Sequence, residues 1–435
     1  MSAAKDETSF LELGARVGMW WLCGLAFFLI VGFVLSRATL AASQRVPREP
    51  GGHAQGLDAV LRRVYRAVLW CCCAYYYVSI PIVLGGVVAL GGGLIYAFFA
   101  IGTIPIKLVL IIAVGVFVTV AAVLKSLFVQ RSNADPGTPV DLDENPKLRA
   151  VLSEVAERVG TRMVDRVYMT PGTDIAVMER GSMLAQLRGK SERCLILGAG
   201  VLKGMEVLSF KSVLAHEYGH FQNEDTAGGG FAIAVRRSIF VMMLHLVLGG
   251  AAAWYNPAWW FVQGFQRLFL VISQGASRLQ EVLADRWAAF SYGSEAFEKG
   301  MTHVIRRSIR FDAHADASLK EIIQNQRALV NLYAYKPDDG PRAETIDEAF
   351  EDAMSREPSA YDSHPAPSDR IAWVRALAVP PPAPCEADQA LVWTLFADRK
   401  KVERQMTDVV RAQIRERHGI VIPCKQAAAD DQEAA

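Results

Sequence analysis

The sequence predicts an α+β protein, mainly α, held in a membrane by several helices and carrying one folded domain outside it. Three observations predict this. Uncharged stretches long enough to cross a bilayer fill the early part of the chain, and a shorter pair recurs past its middle. From about residue 130 the composition becomes that of a soluble domain. Within that domain His216-Glu217-Tyr218-Gly219-His220 is followed, on a second expected helix, by Glu281-Val282-Leu283-Ala284-Asp285. Of the 435 residues, 52% are hydrophobic and 21% charged. A soluble domain carries roughly 45–50% apolar and about 25% charged residues, so part of this chain faces something other than water. The net charge of +1 offers no clustered basic surface for phosphates, and no nucleic-acid partner is expected. The 7 cysteines form no paired motif apart from the run Cys71-Cys72-Cys73, so neither a disulfide framework nor a cysteine metal site is indicated.

The first 16 residues are polar and mixed in charge. Val17 to Ser36 is uncharged and long enough to span a bilayer. No small-residue cleavage site follows it, so it reads as an anchor rather than a removed signal. A polar loop over 37–66 holds Arg37, Arg45, Arg48, Arg62, Arg63 and Arg66. Residues 67–106 are uncharged, Lys107 follows, and 108–124 are apolar. Three helices here would have about 19 residues each and no room for turns. Two are therefore expected, over about 68–98 and 104–128, broken at Gly102-Thr103-Ile104-Pro105. Residues 1–130 thus form an N-terminal membrane region. The arginine-rich loop belongs in the cytoplasm by the positive-inside rule. The chain then emerges on the cytoplasmic side at Lys125 and Arg131. The expected location is integral and multi-pass, in a bacterial inner membrane, with the domain beyond residue 130 cytoplasmic.

A domain over 131–375 is expected next. Asn145-Pro146, followed by Leu148, Val151, Leu152, Val155 and Val159 and closed by Gly160, reads as an amphipathic helix. Strand-like runs follow at Arg166 to Met169, Asp174 to Met178 and Cys194 to Leu197, with Pro171-Gly172 as a turn. A helix over roughly 206–223 carries the two histidines. Apolar stretches at 238–255 and 258–274, split by Asn256-Pro257, are marginal for spanning. Both polar motifs must meet on one side of the membrane, so this region crosses twice or not at all. Gln263, Gln266 and Arg267 favour a shallow apolar hairpin over 238–274. Residues 376–435 form a C-terminal extension, helical over 386–418 after Pro380-Pro381-Pro382, with a disordered acidic tail.

Two histidines four apart on a helix point to one side. They can grip one zinc ion while the glutamate between them faces the attacking water. His216 and His220 are thus candidate ligands of one Zn2+ per chain, and Glu217 is the candidate general base. This is the signature of a zincin-type metallopeptidase domain. The third ligand must come from several acids. Glu224 lies about 12 Å along the helix axis from His216 and roughly 80° around it, a poor position. A three-histidine site is excluded because Thr226 stands where its third histidine would fall. Glu281 and Asp285 share a face of a second helix. A carboxylate there can accept the outer N–H of a ligand histidine.

This combination, placed after N-terminal membrane helices, resembles the HtpX-like and CAAX-prenyl-protease superfamily of integral membrane zinc metallopeptidases. The resemblance runs over about 140–375. Asn145-Pro146-x-Leu148 looks like the opening of the family's domain. Leu197-Gly198-Ala199-Gly200-Val201-Leu202 looks like its strand and turn before the zinc helix, and Ser363-His364-Pro365 with Arg370-Ile371 like its late His-Pro…Arg-Ile element. The resemblance implies a gluzincin with Glu281 as third ligand and Asp285 orienting a histidine. It also implies a role near substrate for His364 or Arg370, such as oxyanion stabilisation. The implied function is zinc-dependent endopeptidase cleavage of membrane or membrane-proximal proteins, for quality control or processing. The partners are then polypeptide substrates and the lipid bilayer. Asp174 to Met178 is a candidate edge strand for an extended substrate. The competing reading is an inactive membrane binding or scaffold protein with a structural zinc site. It fits less well, because Glu217 is retained although it has no ligand duty.

Overall fold

The computed structural model describes residues 2–43, 56–102, 104–128, 135–181, 190–222, 229–356, 364–383 and 385–424. Arg45, Arg48, Thr103, Arg131, Glu224, Thr226, Ser363 and the acidic tail lie outside the described residues. The uncharged runs form α1 (Ser2–Ser43), α2 (Leu57–Ile101) and α3 (Ile106–Leu127). α1 and α2 extend past the apolar stretches, because no breaker stops a helix where its composition turns polar. The break between α2 and α3 falls at the expected place. Gly102 adopts a left-handed φ of 76° and its N–H bonds to the Phe99 carbonyl, a conformation that glycine enters without Cβ strain. Pro105 then starts α3.

Among the described residues, four helices are long and apolar enough to cross a membrane: α1, α2, α3 and α6 (Gly229–Leu248). Their outward faces expose Phe27, Ile30, Phe33, Leu94, Phe117 and Phe240. Apolar surface on that scale is the mark of a helix facing lipid, and the chain is a membrane protein.

The apolar hairpin expected over 238–274 differs in extent. α6 turns at Gly250 and leads into α7 (Pro257–Tyr292), a single helix of 36 residues, about 54 Å long. Asn256 caps α7 by accepting from Ala258 N–H and donates to Thr119 of α3 at 2.9 Å. Phe261, Val262, Phe265, Leu268, Phe269 and Ile272 of α7 are buried in one cluster with Phe28, Tyr76, Val235 and Met242. Gln263 and Gln266 are only half-buried and Arg267 is exposed. The amphipathic pattern thus reflects a helix packed inside a bundle, not one lying flat at a surface.

α7 continues out of this bundle without a break. Leu279 and Leu283 pack with Leu35, Leu61 and Tyr65. Arg286 pairs with Asp58 at the start of α2, at 2.6 Å. The last turns of α7 enter a second core, that of the outer domain.

That domain opens with β1 (Thr138–Val140) and α4 (Pro146–Val159). α4 begins on Pro146 and ends at left-handed Gly160, and its Leu148, Leu152 and Val155 are fully buried. β2 (Arg166–Thr170), β3 (Ile175–Arg180) and β4 (Glu192–Gly198) complete one sheet in the order β1-β2-β4-β3. β2 and β4 are parallel, while β1 and β3 join antiparallel. β3 is therefore an edge strand. α5 (Val207–Gln222) packs against β3, α8 (Ser294–Gln324) packs on α5, and α9 (Ala343–Ser355) and α10 (Pro367–Leu377) pack on α8. Residues 376–435 contribute α11 (Glu386–Gln389), a 3-10 turn (Val392–Leu395) and α12 (Arg399–His418). Val392, Phe396 and Met406 share the core of the outer domain. Backbone bonds Val207 N–H to Ala390 O and Val392 N–H to Met205 O, at 2.9 and 2.8 Å, dock this segment on the start of α5. Lys211 reinforces the dock, 2.7 Å from both Glu154 and Asp388.

Candidate metal centre

α5 is built to present three polar side chains on one side. Phe210, Leu214, Tyr218 and Phe221 are buried in the domain core, which turns His216, Glu217 and His220 toward the sheet edge and α7. The two imidazoles stand with ring centroids 4.9 Å apart. Gly219 lies between them in sequence and faces α7. A Cβ there would meet Ala284 Cα and Trp287 Cβ, each at 3.1 Å. The missing side chain lets α5 and α7 close up, and this brings Glu281 to the histidines. Gly219→Val is expected to push the helices apart and lower zinc affinity by at least tenfold. Zinc titration of the purified variant checks this, and wild-type affinity would refute the close-approach argument.

The Nε2 atoms of His216 and His220 lie 3.4 and 3.6 Å from the Glu281 carboxylate. The ligand atoms of these three residues all fall within 4.8 Å of one another. On the other side of its ring, His216 Nδ1 is 2.9 Å from Asp285 Oδ1. Arg370 of α10 grips Asp285 with two hydrogen bonds, Nε to Oδ2 at 2.8 Å and Nη2 to Oδ1 at 2.6 Å. The same Nη2 is 3.1 Å from Glu281 Oε2, and His364 Nδ1 is 3.0 Å from that oxygen. Close as these nitrogens are, neither is aligned to donate. Glu281 Oε2 is buried and accepts no hydrogen bond, and His216 Nδ1 likewise has no aligned partner.

The electrostatics point the same way. Burial would discharge His216, but the Asp285 and Glu281 carboxylates outweigh it and push its pKa up to about 10. Burial also opposes charge on Glu281 and Asp285. The Arg370 guanidinium overcomes it, holding Glu281 well below the usual carboxylate range and Asp285 below its own. Glu217 goes the other way, its carboxyl pushed up by burial. Two imidazole nitrogens therefore face a buried, ionised carboxylate with an oxygen that no hydrogen bond satisfies. Buried polar atoms are rarely left so, and the unsatisfied Glu281 oxygen beside two imidazole nitrogens is a donor set that a metal ion would complete. Two histidine nitrogens and one carboxylate oxygen match the ligand chemistry of a catalytic zinc site with an open position. The residues fit the ion.

The site lies at the meeting of two clefts, of about 530 and 390 Å³. Ile175 of β3, His216, Glu217, Glu281 and His364 border both. Val177 N–H of β3 donates to Glu217 at 3.2 Å and holds the carboxylate at the sheet edge. The larger cleft is lined on its far side by Phe297, Met301, Val304 and Ile305 of α8, and by Arg356. The structure thus brings His216, Glu217, His220, Glu281, Asp285, His364 and Arg370 together, whereas Glu224, Thr226 and Ser363 lie outside the described residues. Arg370 differs in orientation: it borders the larger cleft, but its guanidinium is engaged by Asp285 and Glu281. His364 stands at the mouth, its side chain 60% exposed. The apolar wall from α8 and the Gly219–Ala284 contact went unread in the sequence. A glycine inside a helical pattern was the available signal for the second.

A membrane-anchored helical domain, with this motif pair converging at a sheet edge, defines a metallopeptidase-type protein. The chain belongs to peptidase family M48, that of the HtpX- and CAAX-protease-like zinc metallopeptidases, whose model matches residues 144–378. Neither a curated protein nor a solved structure matches the chain.

Proposed function

We propose that this chain is a zinc-dependent endopeptidase that cleaves membrane or membrane-proximal polypeptides, in quality control or processing. The observation that carries the reading is the convergence of His216, His220 and Glu281 beside Glu217 in an open cleft along an edge strand. His216, His220 and Glu281 would hold one zinc ion. When bound, zinc acidifies water and polarises the scissile carbonyl. Glu217 accepts the proton of the attacking water and delivers it to the leaving amine. Asp285 fixes the His216 ring, and Arg370 fixes Asp285. His364, exposed at the mouth, would donate to the oxyanion. An extended substrate adds to β3, and its side chains enter the apolar wall of α8. α6 and the first half of α7 cross the bilayer and return, keeping both motifs on one side. That side is the cytoplasm if the arginines of α2 follow the positive-inside rule.

The test is cleavage of an unfolded membrane protein by the detergent-purified chain, before and after chelation. Chelation is expected to abolish cleavage, and stoichiometric zinc to restore it. Metal bound without any cleavage would favour a binding or scaffold role instead. Ile175→Pro, which removes an N–H of the edge strand, is expected to weaken turnover of long peptides about tenfold with zinc content unchanged. Unchanged turnover would remove β3 from substrate binding.

A further inference from the structure

α8 has two working faces. Met301, Val304 and Ile305 look into the catalytic cleft. His303, Arg307, Arg310 and His314, recurring three or four residues apart, line a separate cavity of about 590 Å³ together with Arg306. Lys203 and Lys336 complete its cationic lining, and neither Asp nor Glu lines it. The rings of Phe311 and Tyr333, stacked at 5.5 Å, form an apolar side. The volume is that of a small-molecule site.

The positive charge is only partly neutralised locally. Arg306 is paired with Asp347. Glu403 is held by Arg399 at 2.6 Å. Among the described residues, Lys203, Arg307 and Arg310 pair with no carboxylate. Arg307 is oriented by a 2.8 Å bond from Nε to the Gly200 carbonyl. His303 and His314 are each held by a carbonyl oxygen at 2.9 Å. Burial lowers the Lys203 and Arg307 pKa values, and the neighbouring arginines lower them further. Cations that depress one another in a lined cavity leave a field that a multiply charged anion would satisfy. Arginine forks match phosphate oxygens in particular.

We infer that this cavity binds a phosphate-bearing small anion, its oxygens met by Lys203, Arg307 and Arg310 and its apolar part by Phe311 and Tyr333. The inference is independent of the proposed peptidase activity. The soluble source would be a di- or triphosphate compound; the membrane source would be an anionic lipid headgroup.

Titration calorimetry on the detergent-purified full chain tests it, with pyrophosphate in one arm and short-chain phosphatidic acid in the other. The variants are Lys203→Glu with Arg310→Glu, and the milder Lys203→Gln with Arg310→Gln. All four replacements fall on exposed side chains, so ligand-free thermal unfolding should match wild type. Sub-millimolar pyrophosphate binding, weakened at least tenfold in both variants, supports the site with a soluble ligand. The same loss seen only with phosphatidic acid supports it with a lipid headgroup. Absence of binding in both arms, or equal binding by wild type and variants, overturns it. Equal binding is also what phosphate held at the metal centre would give.

Discussion

Glu217→Gln is expected to lower peptide turnover about 10²–10⁴-fold, the range for removing a positioned general acid–base group, while the zinc content stays at wild-type level. Glutamine keeps an oxygen that can accept the Val177 N–H, which Glu217 accepts at 3.2 Å. It fills the same space, so α5 and its histidines should not move. What is lost is a group able to take a proton and return it. The carboxyl is already pushed up by burial, toward the range where a general base serves best near neutral pH. Metal analysis and turnover must be measured on the same preparation. Turnover within tenfold of wild type at equal zinc would remove Glu217 from the reaction. Loss of zinc along with activity would instead mean that the side chain supports the fold of the site.

Arg370→Met is expected to cost stability on the order of 3–5 kcal/mol, the penalty for breaking a buried ion pair by removing one partner. Arg370 is 9% exposed. Its guanidinium bonds Asp285 twice and touches Glu281. Without it two buried carboxylates sit one helical turn apart with the His216 ring left to offset part of their charge. The loss should be largest in metal-free protein, since a bound cation would meet part of the same charge. Zinc affinity should also fall about 10–100-fold, the usual effect of removing support behind a ligand histidine. Thermal unfolding with and without zinc, beside a zinc titration, checks both parts. A variant as stable as wild type in the metal-free state would show that Arg370 does not neutralise the pair.

Much of the site was legible because its chemistry is local. His216, Glu217 and His220 lie within one helical segment, and helix geometry alone puts both imidazoles on one side. The bilayer imposes a comparable rule on the N-terminal region, so uncharged runs there can be read as helices. The turn at Gly102–Pro105 and the start of α4 at Pro146 were readable for the same reason: proline and glycine act through their own backbone.

Other features depend on which element packs against which. Residues 258–274 were expected as half of a shallow hairpin, and Glu281 on another helix. One continuous α7 carries both, because nothing between them breaks a helix and its apolar stripe finds the membrane bundle first and the outer core next. Arg370 was assigned to substrate, yet Asp285 and Glu281 take up its charge. Only proximity in space could reveal that, since α7 and α10 are far apart in the chain.

Residue spacing and uncharged runs pointed to the family resemblance, the mainly helical membrane architecture and the histidine pair as candidate ligands. Tertiary structure decided how close Glu281 comes, through the Gly219–Ala284 contact, and what neutralises Asp285. It also gathered the cations of α8, Lys203 and Lys336 around one cavity. The division follows from the range of the forces. Helix periodicity and membrane partition act along the chain, whereas packing and charge pairing act across it.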